Sequence, residues 1–259
     1  MFVSSNLSGK LSTSKGNQVK MSVDNVWYKV DYFGYEGAAE YVCSVLLSQT
    51  NIKNYVDYDI CEIEANGRKF IGCKSKSFLK SNEEIITMGK LFKQNFNKSV
   101  PTFIEKGSLP ERIKRFVDAV VEVTGLEDYG QELTKTLEWD RLVLNEDRHF
   151  NNLAVLYNHD SREYSSCLIF DNGAAFLSDT RVSYPLEKNT YDLIAEVKAK
   201  PFDEDFDKQV EACEYLYGKQ LKLDKDICIP EEVLKKVELT YGKKVSNRIA
   251  TVFEHQELG

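Results

Sequence analysis

Asn145-Glu146-Asp147-Arg148-His149-Phe150-Asn151-Asn152 places a mostly polar stretch between two apolar runs, Leu142-Val143-Leu144 and Leu153-Ala154-Val155. A helical run, Gln131 to Leu144, leads straight into it. Two short strands are expected after it, Leu153 to Tyr157 and Ser166 to Phe170, joined by the turn residues Asn158-His159-Asp160-Ser161. The second strand delivers Asp171-Asn172-Gly173. The hairpin returns the chain, so Asn152 and Asp171 are expected at one point, and Gly173 lets the backbone turn sharply beyond them.

Phosphoryl transfer needs this set of parts. One carboxylate orients the attacking hydroxyl or accepts its proton, while an Asn and a second Asp hold magnesium against the phosphates. Magnesium prefers hard oxygen ligands and keeps waters and phosphate oxygens, so two protein ligands suffice. His149 stands either to orient Asp147 by hydrogen bonding or to act as a general base, because imidazole titrates near neutrality. Arg148 stands to contact a phosphate or to pair with an acid. His159 and His255 receive no role, and no His-x-x-x-His spacing supports zinc. A solvated loop between two apolar runs is the competing reading.

Outward from the motif, Val19 to Val23 and Val26 to Val30 alternate and are joined by Asp24-Asn25, a hairpin signal. Gly34 to Gln49 reads as a helix, with Ala38, Tyr41, Val42, Val45 and Leu46 at helical spacing. Tyr55 to Ile63 and Lys69 to Cys73 read as a second hairpin around Asn66-Gly67, and Glu84 to Phe96 as helical. Pro110 to Thr124 is an amphipathic helix that starts on Pro110 and stops at Gly125. Tyr191 to Glu257 is mostly helical, broken by Pro201 and Pro230. The expected architecture is α+β in two lobes. Residues 1–75 make a small β-rich N-lobe with one helix, residues 76–259 make a larger helical C-lobe with an embedded hairpin, and Lys74 to Ser81 connects them.

The 259 residues are 42% hydrophobic and 29% charged, enough for a sizeable core under a solvated surface. The formal net charge of −7 argues against general nucleic-acid binding, and without a Lys/Arg cluster it also disfavours a membrane face. No apolar run is long enough for a transmembrane helix, and Met1 to Lys20 lacks the apolar stretch of a secretory signal. The six cysteines show no Cys-x-x-Cys pairing and are expected to be reduced core residues of a cytoplasmic protein.

The β-rich lobe is expected to hold the nucleotide. Backbone N–H groups and hydroxyls of Ser12-Thr13-Ser14-Lys15-Gly16-Asn17-Gln18 are suited to cradling phosphates. This stretch contains neither Gly-x-Gly-x-x-Gly nor a Walker A pattern. Lys29 lies on the strand face opposite Val26, Tyr28 and Val30. A lysine there contacts α and β phosphates and pairs with a helix carboxylate. Glu40 is the preferred partner and Glu36, one turn earlier, the alternative.

Taken together, Lys29, Asp147-Arg148-His149, Asn152 and Asp171-Asn172-Gly173 resemble the HipA-like serine/threonine kinases of bacteria. Asp-Arg-His-x-x-Asn is also similar to the catalytic loop of phosphatidylinositol kinases, and Gly16-Asn17-Gln18-Val19-Lys20 resembles the Gly-x-Gln-x-Lys segment of the HipA phosphate-binding loop. The resemblance implies a protein-kinase-like fold and transfer of the ATP γ-phosphoryl group to Ser or Thr of a protein substrate. By matching position it implies that Asp147 is the catalytic base and that Asn152 and Asp171 bind Mg²⁺. Lys29, Glu40, Ser14, Gly16, Asn17 and Gln18 would serve ATP. It further implies autophosphorylation of the N-terminal loop, where Thr13, flanked by Ser12 and Ser14, lies closest. HipA itself has an additional N-terminal subdomain with no counterpart here; either a companion or antitoxin protein replaces it, or the activity is unrelated to toxin function. No Ala-Pro-Glu end of an activation segment follows Gly173. A lipid or small-molecule kinase and a nucleotide-binding pseudokinase are the alternatives.

Overall fold

The computed structural model describes residues 20–65 and 67–258. In chain order they form β1 (Lys20–Val23), β2 (Val26–Val30), α1 (Glu36–Leu47), β3 (Asp59–Ala65), β4 (Arg68–Lys76), β5 (Glu83–Thr87), α2 (Met88–Phe96) and α3 (Val100–Phe103). There follow α4 (Leu109–Thr124), α5 (Tyr129–Val143), β6 (Ala154–Asn158), β7 (Glu163–Ser166), α6 (Thr190–Ile194), α7 (Phe206–Tyr217), α8 (Glu231–Tyr241) and α9 (Lys243–Leu258). The fold is α+β, with a small antiparallel sheet and a helical part. The chain divides into two compact units. One holds the described residues up to Phe78, Asp171–Val197 and the chain from Leu223 onward; the other holds Leu79–Phe170 and Lys198–Lys222.

The first unit is built on an antiparallel sheet of order β1-β2-β4-β3. Asp24 and Asn25 both take positive φ, 50° and 61°, the primed turn that Asp and Asn tolerate. That two-residue turn fixes the register and sets Lys20 opposite Lys29, which in turn faces Cys73. Met21, Tyr28, Val30 and Ile63 cluster together, buried. Helix α1 is buried along most of its length, from Glu36 to Leu47. Its first turn comes close to β4: a side chain at Gly37 would collide with the backbone of Gly72. Chain from further on closes around the start of α1. Tyr35 donates its backbone N–H to the Ser178 carbonyl at 3.2 Å, Arg181 donates to the Phe33 carbonyl at 3.0 Å, and Tyr241 on α8 donates its hydroxyl to Asp31 at 2.7 Å. On α9, buried Arg248 gathers the carbonyls of Tyr184, Pro185 and Lys188.

The second unit packs helices against a sheet of order β5-β6-β7. Its core is aromatic. Phe116 on α4 stacks on Phe92 of α2 with ring centroids 5.4 Å apart, and contacts Phe150 and Phe202 at 5.4 and 5.3 Å. Glu111 accepts from the Ser108 backbone N–H at 2.7 Å to start α4, and Gly125 at φ 72° stops it.

Three expectations are corrected. Glu84 to Thr87 is strand rather than helix. Ile85, Ile86 and Thr87 are β-branched and pair with Leu156, Val155 and Ala154, and the helix begins only at Met88, with Thr87 as its cap. The strand expected at Ser166 to Phe170 is instead Glu163–Ser166. The Asn158 side chain accepts from the N–H groups of Asp160 and Ser161, so the turn is tight and the return strand pairs at once. None of the six cysteines forms a disulfide, but only Cys43, Cys73 and Cys213 are buried, and Cys228 is exposed. Among the described residues no helix is long and apolar enough to cross a membrane.

Asp31 ties the start of α1 to α8. Its carboxylate accepts from the Gly37 N–H at 2.6 Å and from the Tyr241 hydroxyl. Burial raises its pKa to about 7, partly offset by the Tyr241 hydrogen bond. A carboxyl raised in the folded state favours folding below its unfolded pKa of about 4, and that contribution is lost as pH rises toward about 7. Wild-type stability is therefore expected to fall across this window relative to Asp31→Asn, by at most about 1.4 kcal/mol per pH unit. Urea midpoints measured from pH 4 to 8 check this, and parallel curves for the two proteins would refute it.

Candidate functional site

In the second unit the motif residues form a closed hydrogen-bonded loop. Helix α5 ends on Leu144 in the left-handed region, φ 51°, and the chain folds back at once. The Asn145 N–H donates to the Asp140 carbonyl, and its side-chain amide donates to Asp140 Oδ1 at 2.9 Å. Arg148 takes Asp140 bidentately, Nε to Oδ2 at 2.8 Å and Nη2 to Oδ1 at 2.9 Å. Its remaining Nη1 donates to the carbonyls of Asn152 at 3.2 Å and Phe170 at 2.6 Å. One guanidinium thus binds the preceding helix, the end of the loop and the residue that precedes Asp171 in sequence. Both members of the pair are essentially inaccessible. Burial raises the pKa of Asp140, with Arg148 and Asn145 opposing the shift.

This framework presents Asp147. The Asn152 side-chain N–H donates to the Asp147 carbonyl at 2.9 Å, which fixes the amide's orientation and leaves its oxygen as the atom that can accept or coordinate. The Asp147 carboxylate is 44% exposed and accepts from Lys200 at 2.7 Å. His149 Nε2 lies 3.8 Å from it, beyond hydrogen-bond length, and His149 Nδ1 is buried without a hydrogen-bond partner among the described residues.

In the first unit Lys29, Glu40 and Asp171 come together. Lys29 is buried, ion-paired with Glu40 of α1 and bonded to Asp171 Oδ1 at 2.8 Å, with its ammonium 4.9 Å from the Tyr58 ring centre. Glu40 accepts a second bond, at 2.9 Å, from the Asn172 N–H, so the lysine and the Asp-Asn-Gly turn share one carboxylate. Burial works against the Lys29 charge, but Asp171 and Glu40 outweigh it and hold the pKa well above the ordinary lysine value. Lys20 reaches the other Asp171 oxygen at 3.4 Å. Glu36 does not join this cluster: it orders the loop that leads into its own helix by accepting the N–H groups of Tyr32, Phe33 and Gly34. Asp171 sits at φ 61°, a conformation available to Asp at some cost and held here by its two lysine contacts.

Asp147, His149 and Asn152 therefore neighbour one another in one unit, and Lys29, Glu40 and Asp171 do so in the other. Ser14, Gly16, Asn17 and Gln18, with Ser12 and Thr13, lie outside the described residues. The motif reading passed over Asp140 and Lys200, and it quoted Lys20 only as the end of Gly16-Asn17-Gln18-Val19-Lys20, with no role. Asp140 had a signal, since it continues the buried stripe of Leu133 and Leu137, and an acid there needs a partner. Lys20 had one too, because the Asp24-Asn25 turn dictates its pairing with Lys29. Lys200 is remote in sequence and had none.

Arg148→Ala is expected to lower stability by about 3–5 kcal/mol, because it strands a buried carboxylate. Arg148→Lys should recover little, since an ammonium cannot make the bidentate contact. Denaturant midpoints of the two variants measure this. A loss below about 1 kcal/mol, the range of exposed pairs, would show that the pair does not hold the loop.

No family model matches the chain, and no curated protein matches it. Among solved structures, it is similar to the proinflammatory kinase CtkA of Helicobacter pylori, at 15% identity over 98% of this chain and 92% of that one, with a TM-score of 0.63. The chain shares the fold of that kinase.

Proposed function

We propose that this chain is an ATP-dependent kinase of the HipA-like kind that transfers the γ-phosphoryl group to a Ser or Thr hydroxyl of a protein. The observation that carries the reading is the buried Lys29, paired with Glu40 from a helix and bonded to the Asp of Asp171-Asn172-Gly173. A lysine–glutamate pair joined to a metal-binding aspartate is what kinases assemble to hold ATP phosphates. The kinase fold and the Asp147-Arg148-His149-x-x-Asn152 loop support the same reading.

In this proposal Lys29 binds the α and β phosphates and Glu40 keeps its ammonium in place. Asn152 and Asp171 offer an amide and a carboxylate oxygen, the hard donors that Mg²⁺ takes alongside phosphate and water. Mg²⁺ held by such donors would neutralise charge on the transferring group. Asp147 accepts the acceptor hydroxyl's proton as its oxygen bonds to the γ-phosphorus. The bond from that phosphorus to the β–γ bridging oxygen breaks, and its electron pair leaves with ADP. His149 is a supporting residue: its Nε2 is not hydrogen-bonded to Asp147.

The test is phosphoryl transfer from labelled Mg·ATP to a generic protein substrate. Asp147→Ala should reduce transfer by roughly 10²–10⁴-fold while Mg·ATP still raises the melting temperature. Lys29→Met and Asp171→Ala should weaken that thermal shift as well as transfer. Transfer that survives Asp147→Ala would remove Asp147 from its role. Wild-type protein stabilised by Mg·ATP but transferring nothing would favour a pseudokinase, and label appearing only on lipid vesicles would favour a lipid kinase.

A further inference from the structure

We propose that Lys200 is the positioning residue of the phosphoryl-transfer step, holding the Asp147 carboxylate toward the acceptor hydroxyl; this rests on the kinase reading above. Lys200 Nζ contacts Asp147 Oδ1 at 2.7 Å, although the two are far apart in sequence. An exposed ion pair by itself means little. Here the backbone that carries the lysine is built into place. Gln209 on α7, fully buried, donates its side-chain amide to the Lys200 carbonyl at 3.1 Å and accepts the Phe202 N–H at 3.4 Å. The Phe202 ring packs against Phe150 at 5.5 Å, and Phe150 belongs to the same loop as Asp147. The Ala199 N–H closes the segment on the Glu204 carbonyl at 2.8 Å. A buried glutamine is tolerated only when its amide is hydrogen-bonded, and Gln209 directs both its donor and its acceptor to this segment.

The catalytic loop also needs a cation from elsewhere. Its own arginine, Arg148, is turned wholly inward onto Asp140 and two carbonyls. His149 does not bond Asp147. Among the described residues, Lys200 is the side chain in hydrogen-bond contact with the Asp147 carboxylate. A carboxylate that is 44% exposed has several accessible rotamers, and proton transfer needs one of them. Lys200 selects it.

The test compares Lys200→Ala, Lys200→Arg and a neighbouring control, Lys198→Ala, by steady-state kinetics on the full chain. Lys200→Ala is expected to lower kcat about 10–100-fold, with KM for Mg·ATP within about twofold and an unchanged melting temperature. Lys200→Arg should restore most of kcat, and Lys198→Ala should match wild type. In an Asp147→Ala background Lys200→Ala should add nothing, since the lysine acts through that carboxylate. An undiminished kcat in Lys200→Ala overturns the inference, as does a parallel rise in KM, failure of Lys200→Arg to restore activity, or an additive loss in the double variant. Those outcomes leave the kinase reading intact. A wild-type protein that binds Mg·ATP and transfers nothing overturns both.

Discussion

The candidate catalytic loop depends on one guanidinium. Arg148 is buried with Asp140, and its donors fasten the end of α5, the end of the loop and the Phe170 carbonyl. Two charges out of water are tolerated because each is matched bidentately and the remaining donors find carbonyls. Asp147 can then stay partly exposed, because Asn145 before it and Arg148 after it are both bonded to Asp140. The polar motif is thus two layers. Asp140, Asn145 and Arg148 form a dry framework, and Asp147, His149 and Asn152 are carried on it.

The Lys29 cluster follows the same logic in the other unit. Glu40 is 1% exposed and takes both the Lys29 ammonium and the Asn172 N–H, so helix α1, strand β2 and the Asp-Asn-Gly turn meet at one carboxylate. The helix that carries Glu40 is itself positioned at its start, where Glu36 takes three backbone N–H groups and Asp31 takes Gly37 and Tyr241. Adjacent acids of α1 thereby divide their work: Glu36 orders the helix entry and Glu40 holds the lysine.

Where reading the chain succeeded, a local rule was strong. Asp24-Asn25 allows positive φ at both positions, which makes the β1–β2 hairpin a local decision. Pro110 and Gly125 punctuate α4 regardless of what it packs against. Where reading failed, local signals were ambiguous. Ile85 and Ile86 sit at helical spacing from Met88 and Phe92, yet pairing with β6 outweighed that periodicity. Leu168-Ile169-Phe170 is apolar enough for a strand, but the compact Asn158 turn had already set the ladder upstream.

The sequence by itself determined which chemical groups this protein holds. Asp147, Asn152, Lys29, Glu40 and Asp171 could all be named from residue type, spacing and helix phase, because turns, strand alternation and helical periodicity are short-range properties of the chain. Only the tertiary structure decided how those groups are held. Arg148 faces inward to Asp140 rather than outward, Lys20 joins Lys29 at Asp171, and Lys200 arrives at Asp147 from beyond the hairpin. The physical reason is that an ion pair depends on distance in space and on burial. Neither is written in the spacing of residues along the chain when the partners sit on different elements.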